Sequence, residues 1–395
     1  MTAPLLDFDL DRWASFGKFW SIRPGTIYLN HGSFGPPPES VRAARLKWTS
    51  ELDCQPMDFF VRTFEPAWRA ARDKLAEFIF VPADSLILVE NATAGMNIVA
   101  DSFPLHPGDE VMLTDHEYGA VVRIWERACQ RVGALVTTAR LSLPFTTAEE
   151  TADALFSQVT HSTRLIVISH ITSPTAVILP VQEICRRARE RGIAVCIDGP
   201  HAPVQIPLDI AGLGCDFYAA SCHKWLSAPF GSGFLYASQE HQSRIRPPVL
   251  SWGRLPPLPV ESWSDEFCWS GTRDPSPYLA IPAAIEFMRE VGRDFFQKGS
   301  HALARYARQQ LALLTQLEPI VPDSAAWYGS MAHIPLPPGD RAALQDALWQ
   351  QHGIEVPIVD WKGHRFIRVS CHLYNTPEQI DRLVSALRQL LRAEK

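Results

Sequence analysis

The 395-residue sequence predicts an α/β fold in which a mostly parallel sheet is sandwiched by helices and followed by a smaller C-terminal α+β domain. Three observations predict it. Short apolar runs alternate with helix-like segments through the first two thirds of the chain, and past about residue 275 strands and helices follow one another in a different texture. The length also exceeds the roughly 250 to 300 residues at which a single core stops growing.

Six runs carry the sheet: "SLILVE" (85–90), "DEVMLTD" (109–115), "RLIVISH" (164–170), "IAVCID" (193–198), "DFYAAS" (216–221) and "GFLYAS" (233–238). Each is short, β-rich and flanked by turn or polar residues, while "VQEICRRARERG" (181–192) shows helical spacing that Gly192 can end. Further on, the sequence predicts a helix over 300–318, a helix over "RAALQDALWQQHG", and strands around "EVPIVDW" and "RFIRVS". A last helix is capped by Thr376 with Pro377 at its first position. The expected division is an N-terminal arm over 1–25, a large domain over 26–275 and a small domain over 276–395, with the linker near "GTRDPSPYLAIP".

Composition excludes several classes. A net charge of −6 offers nothing to nucleic acid or an anionic membrane surface, and no window approaches 18 uninterrupted apolar residues. The eight cysteines lack a CxxC pair, which fits reduced thiols rather than a disulfide framework or a zinc site. With no secretory h-region at the start, a cytoplasmic protein is expected. A nicotinamide site would need G-x-G-x-x-G after the first strand, and "GSG" at 231–233 is short and misplaced.

Open α/β sheets bind ligands beyond the carboxyl ends of their strands. There the sequence places Ala92 and Thr93, His116, Asp198 and His201, and Ser221, His223 and Lys224. Hydroxyl, imidazole, carboxylate and amine together are what pyridoxal phosphate needs. Lys224 has no lysine competitor between Lys74 and Lys298 and can form a Schiff base, and Asp198 can keep a pyridine nitrogen protonated. Ala92 and Thr93 open a helix that can hold a phosphate, and His116 can stack on the ring. Each residue alone also has a plain structural reading: a snorkelling lysine, a turn-capping aspartate, an N-cap threonine, a packed histidine.

"DGPHAPVQIPLDIAGLGCDFYAASCHKW" resembles the cofactor segment of the class V aminotransferase family of fold-type I pyridoxal-phosphate enzymes. "YLNHGSFGPPPESV", "NATAGMN", "DHEYGAVVRIWERA" and "GIEVPI" resemble its isopenicillin N epimerase-like branch. The resemblance implies Lys224 as Schiff-base lysine, Asp198 as pyridinium partner, His116 as stacking residue, and Thr93, Ser221 and His223 as phosphate contacts. His201 stands where relatives have a glutamine facing the ring hydroxyl. Gly271 and Thr272 resemble a loop that reaches the phosphate of a neighbouring subunit, which implies a homodimer with shared sites. Arg368 in "RFIRVSCHLYNT" matches the arginine that grips a substrate carboxylate, and Asn30 and His31 lie in a segment that approaches the site. Gly32 and Gly35 permit a tight backbone there.

The reading is therefore a pyridoxal-phosphate enzyme that removes the Cα proton of a small amino-acid substrate. Returning a proton to the opposite face is epimerisation and needs a second acid, for which His31 and Tyr118 are the guesses. Losing a sulfur substituent from Cβ is the alternative, a C–S β-lyase, with transamination or a catalytically silent regulator behind it. Persulfide chemistry is not expected, because "VPIVDWKGHRFIR" contains no cysteine and Cys371 follows Arg368 on a strand.

Overall fold

The computed structural model describes residues 8–394, so the first seven residues of the N-terminal arm lie outside it. Its strands, in chain order, are β1 (Ile27–Tyr28), β2 (Leu86–Val89), β3 (Glu110–Thr114), β4 (Leu135–Ala139), β5 (Thr163–Ser169), β6 (Ala194–Asp198), β7 (Phe217–Ser221), β8 (Gly233–Ala237), β9 (Met331–Pro335), β10 (Ile354–Glu355), β11 (Ile358–Trp361) and β12 (His364–Ser370). Seven of them form one sheet in the order β2-β8-β7-β6-β5-β3-β4, parallel except for β8, which runs against both neighbours.

All six apolar runs become strands of this sheet. Helices cover both faces, so β2, β7 and β8 are buried along their whole length and read as continuous apolar sequence rather than alternation. The seventh strand, β4, was not foreseen. It is the open edge, its Leu135 is 57% exposed, and "LVTTA" carries threonines where a central strand would be aliphatic.

The second sheet is antiparallel, β11-β12-β9, with the helix Arg293–Thr315 against it and the helix Pro377–Ala393 packed on that helix. The first of these helices starts seven residues before the expected position, at Arg293. Gly299 obscures that first turn in the sequence, and its lack of a side chain is needed: a Cβ there would lie 2.5 Å from the Trp13 ring. Thr376 does occupy the N-cap position of the last helix, but its side chain makes no capping hydrogen bond; Pro377 at the first position sets the start.

Both ends of the chain meet at this second sheet. β1 pairs in parallel with β10, Asn30 bridges Ser370, and the Trp13 indole donates to the Asn375 carbonyl at 3.0 Å. The segment that follows β1 is thereby fixed against β12.

The helix Ala92–Ser102 lies so close to β7 that a Cβ on Gly95 would sit 2.9 Å from the Ala219 Cβ. Overpacking of this kind costs about 1–3 kcal/mol. Gly95→Val is expected to lower stability by that amount in urea titration, and to loosen the start of the helix, on which the site below depends.

Candidate active site

The strand ends of the large sheet open on a cavity of about 440 Å³. Of the residues expected at the site, it is lined by Ala92, Thr93, Asp198, His201, Ser221, His223, Lys224 and Arg368. Their elements are distant in sequence and adjacent in the sheet, because β6, β7 and the helix after β2 all present carboxyl-side loops to the same edge.

Lys224 sits in the turn after β7. Its carbonyl accepts from the Ser227 amide at 2.8 Å and from His31 Nε2 at 3.0 Å. Gly35 is required here, since a Cβ would lie 2.5 Å from that His31 nitrogen and 2.7 Å from the Lys224 oxygen. At the other end of the side chain, Nζ lies 3.2 Å from His201 Nε2, and the Trp225 indole N–H points at His201 Nδ1 at 3.3 Å. An indole N–H can only donate, so a neutral His201 carries its proton on Nε2 and turns it toward the amine. That arrangement suits a neutral, nucleophilic Lys224. Burial and the nearby Arg368 charge push the lysine pKa down, with Asp198 opposing them.

Arg368, on β12, is 5% exposed. One of its terminal nitrogens donates to the Ser173 carbonyl at 2.6 Å, and the other to the Ser33 hydroxyl at 2.6 Å. Among the described residues no carboxylate pairs with it, and its Nε has no partner. Burial pushes its pKa down to about 10. A guanidinium held out of water with neutral partners only is a site for an incoming carboxylate.

At the far end of the cavity the helix Ala92–Ser102 points its N-terminus inward, capped by Asn91, whose side chain accepts from the Ala94 amide at 2.9 Å. Ser221 Oγ accepts from the Ala92 amide at 3.0 Å and so ties β7 to the helix start. Burial keeps His223 neutral, its pKa down to about 4. Asp198 closes β6 and is 4% exposed; burial raises its pKa, and the Lys224 charge lowers it. An amine, a buried carboxylate and a helix N-terminus with hydroxyls are the donor set that pyridoxal phosphate requires, and a cavity of this volume admits it.

Several expectations need correction. His116 does not line the cavity. Its ring is fully buried, bonded through Nδ1 to the Thr175 hydroxyl at 2.8 Å and packed on Trp361 with centroids 4.3 Å apart, so Tyr118 faces the cavity in its place. His31 does not line the cavity either. It is fully buried, its nitrogens engage Tyr374 and the Lys224 carbonyl, and burial lowers its pKa to about 3. Asn30 turns away to Glu355 at 3.1 Å and lines a neighbouring groove. Gly271 and Thr272 lie outside the cavity of their own chain, Thr272 exposed and Gly271 at φ +112°.

Sequence reasoning also missed groups that matter. Ser33, inside the motif "YLNHGSFGPPPESV" but not singled out there, and Ser173, in no motif, orient Arg368. Glu117 is buried behind Asp198 and accepts from Thr114 and Ser169, each at 2.6 Å. Ser169 is the residue paired with Asp198 across β5 and β6. Burial raises the Glu117 pKa to about 7, against the two hydroxyl bonds, with the Asp198 charge adding to the rise.

The fold and the donor set define an enzyme of the pyridoxal-phosphate class. The family model described as aminotransferase class-V matches residues 57–383, and the chain belongs to that family. The isopenicillin N epimerases of Amycolatopsis lactamdurans and Streptomyces clavuligerus are 36% and 38% identical to it, over 96% and 93% of this chain and 98% and 95% of theirs. The crystal structure of the cysteine desulfurase CsdA from Escherichia coli shares the fold with a TM-score of 0.82, at 22% identity over 98% of this chain and all of that one.

Glu117 gives a prediction with a definite sign. A carboxyl whose native pKa lies near 7, above its ordinary 4.5, holds its proton in the folded state over a range where the unfolded chain has lost it. Stability from this group is present at low pH and lost as pH rises through 7. Glu117→Gln should therefore show a smaller fall in urea midpoint between pH 5 and pH 8 than the parent, whose Asp198 and Cys196 lie in the same buried cluster. Equal falls would mean that Glu117 does not titrate there.

Proposed function

We propose that the protein is a pyridoxal-phosphate-dependent amino-acid epimerase of the isopenicillin N type. The observation that carries the reading is likeness to two isopenicillin N epimerases over nearly the whole chain. The cavity supports it: Lys224, Asp198 and an unpaired Arg368 stand around one space.

Bound in the cavity, pyridoxal phosphate would withdraw electrons from the Cα of an attached amino acid and make its proton acidic. The helix start at Ala92 and Thr93, with Ser221, would hold the phosphate, whose charge would draw a second proton onto His223 Nε2 so that it donates too, and Asp198 would hold the pyridine nitrogen. Lys224 would hold the cofactor at rest and, as a neutral amine, would take the Cα proton. Arg368 fixes the substrate carboxylate with two charge-assisted bonds and so orients Cα toward Lys224. A groove of about 890 Å³ adjoins the cavity through Ser33 and Phe34 and has room for the distal part of a large substrate.

We further infer a homodimer. Phe34, Leu46 and Phe230 are 65%, 67% and 45% exposed, and Leu46 and Phe230 line one hollow with Asp274, next to the loop of Gly271 and Thr272. An apolar surface of this kind fits a partner subunit whose phosphate the loop would reach. The eight cysteines, all free, fit a reducing cytoplasm.

Two measurements check the function. In D₂O with isopenicillin N, proton NMR should show deuterium at Cα together with the inverted isomer, and L-cysteine should give no pyruvate; pyruvate without inversion would make the enzyme a C–S lyase. Arg368→Leu should lower kcat/KM by about 10–100-fold for each charge-assisted bond lost, at about 1.5–3 kcal/mol apiece, while the bound cofactor keeps its yellow colour.

A further inference from the structure

We propose that Tyr118 is the second acid, the group that protonates Cα on the face opposite Lys224; the assignment rests on the epimerase reading.

Position comes first. Asp198 ends β6, Lys224 follows β7 on one flank, and Tyr118 follows β3 on the other, with β5 between β3 and β6. At about 4.8 Å per strand, three spacings or about 14 Å of sheet separate the roots of the two side chains. Both line the cavity. The amine and the phenol thus reach the cavity from strands on opposite flanks of the one that carries Asp198.

Elimination comes second. The other polar side chains of the cavity engage neighbours in the protein or would hold the cofactor. His201 belongs to the Lys224 side, and His223 Nδ1 bonds to the Ser232 carbonyl. Ser33 and Ser173 serve Arg368, and Ser221 serves the helix start. Asp198 would hold the ring nitrogen and Thr93 the phosphate. The Tyr118 hydroxyl has no hydrogen-bond partner among the described residues.

The mounting comes third. Tyr118 occupies the N-cap position of the helix Gly119–Val132 but makes no capping bond. The two residues before it are anchored, His116 on Thr175 and Trp361, and Glu117 on Thr114 and Ser169. Its backbone is therefore fixed while its ring is free to reach inward. Arg368 is close enough for the two groups to interact electrostatically, which puts the phenol beside the carboxylate that Arg368 would hold.

Protons balance. Lys224 takes the Cα proton and becomes an ammonium; the Tyr118 O–H gives its proton to the opposite face of Cα and becomes a phenolate. Tyr118 is 49% exposed, so solvent returns its proton, and Lys224 releases one to solvent. In the reverse direction the roles exchange.

The test is Tyr118→Phe as holoenzyme in D₂O with isopenicillin N, alongside the parent. A positioned acid contributes about 10²–10⁴-fold, so formation of the inverted isomer should fall at least about 100-fold. Deuterium should still enter Cα of the unreacted isomer at close to the parental rate, through Lys224 alone. Pyridoxal phosphate titrated into the apoprotein should bind the variant as it binds the parent, with the same absorption band and the same Tm. Inversion at the parental rate, or exchange and inversion falling together, would overturn the assignment. So would a tenfold loss of cofactor affinity, which would make Tyr118 a ring-stacking residue. A parent enzyme that gives no inverted isomer at all would instead overturn the epimerase reading beneath it.

Discussion

A positive charge held out of water with no negative charge of its own organises this protein. Arg368 is buried between Ser33 and Ser173, two neutral hydroxyl residues from opposite ends of the chain's first half. Burying a guanidinium this way is costly unless something anionic arrives, and among the described residues no carboxylate pairs with it. The space in front of it is the one that the amine, the carboxyl and the helix start also face.

The same charge propagates through the site. It lowers the proton affinity of Lys224, whose neutral form His201 is oriented to meet, and it shares the cavity with Asp198, whose negative charge pulls the other way. Glu117 lies behind Asp198 in the interior, as a carboxyl that burial inclines toward the neutral form. Were it also ionised, two like charges would share a dry pocket. Its two hydroxyl partners moderate that cost and leave it titrating where Asp198 needs to stay charged.

Much of this was legible in the sequence. Strands buried on both faces announce themselves as unbroken apolar runs, and the residues just past them were the right place to look, so Lys224, Asp198, Ser221 and His223 fall in one cavity as expected. What sequence position does not encode is which way a side chain turns after the strand has ended. His116 and Tyr118 are two residues apart, and only packing against Trp361 and Thr175 decides that the imidazole goes inside and the phenol toward the cavity. His31 is the same lesson from the other direction: a histidine with the right neighbours in sequence, turned into a buttress by Tyr374 and the Lys224 carbonyl. β4 escaped notice because an edge strand with one open side need not be apolar.

His31 stacks on His372 with ring centroids 3.8 Å apart while it holds the carbonyl of Lys224. The turn that carries Lys224 is thus braced by one residue far before it in the chain and by another far after it. A growing chain on the ribosome has its large sheet in hand long before this brace exists. The amine is therefore set in place only once His372 has been made, well after the strands around it.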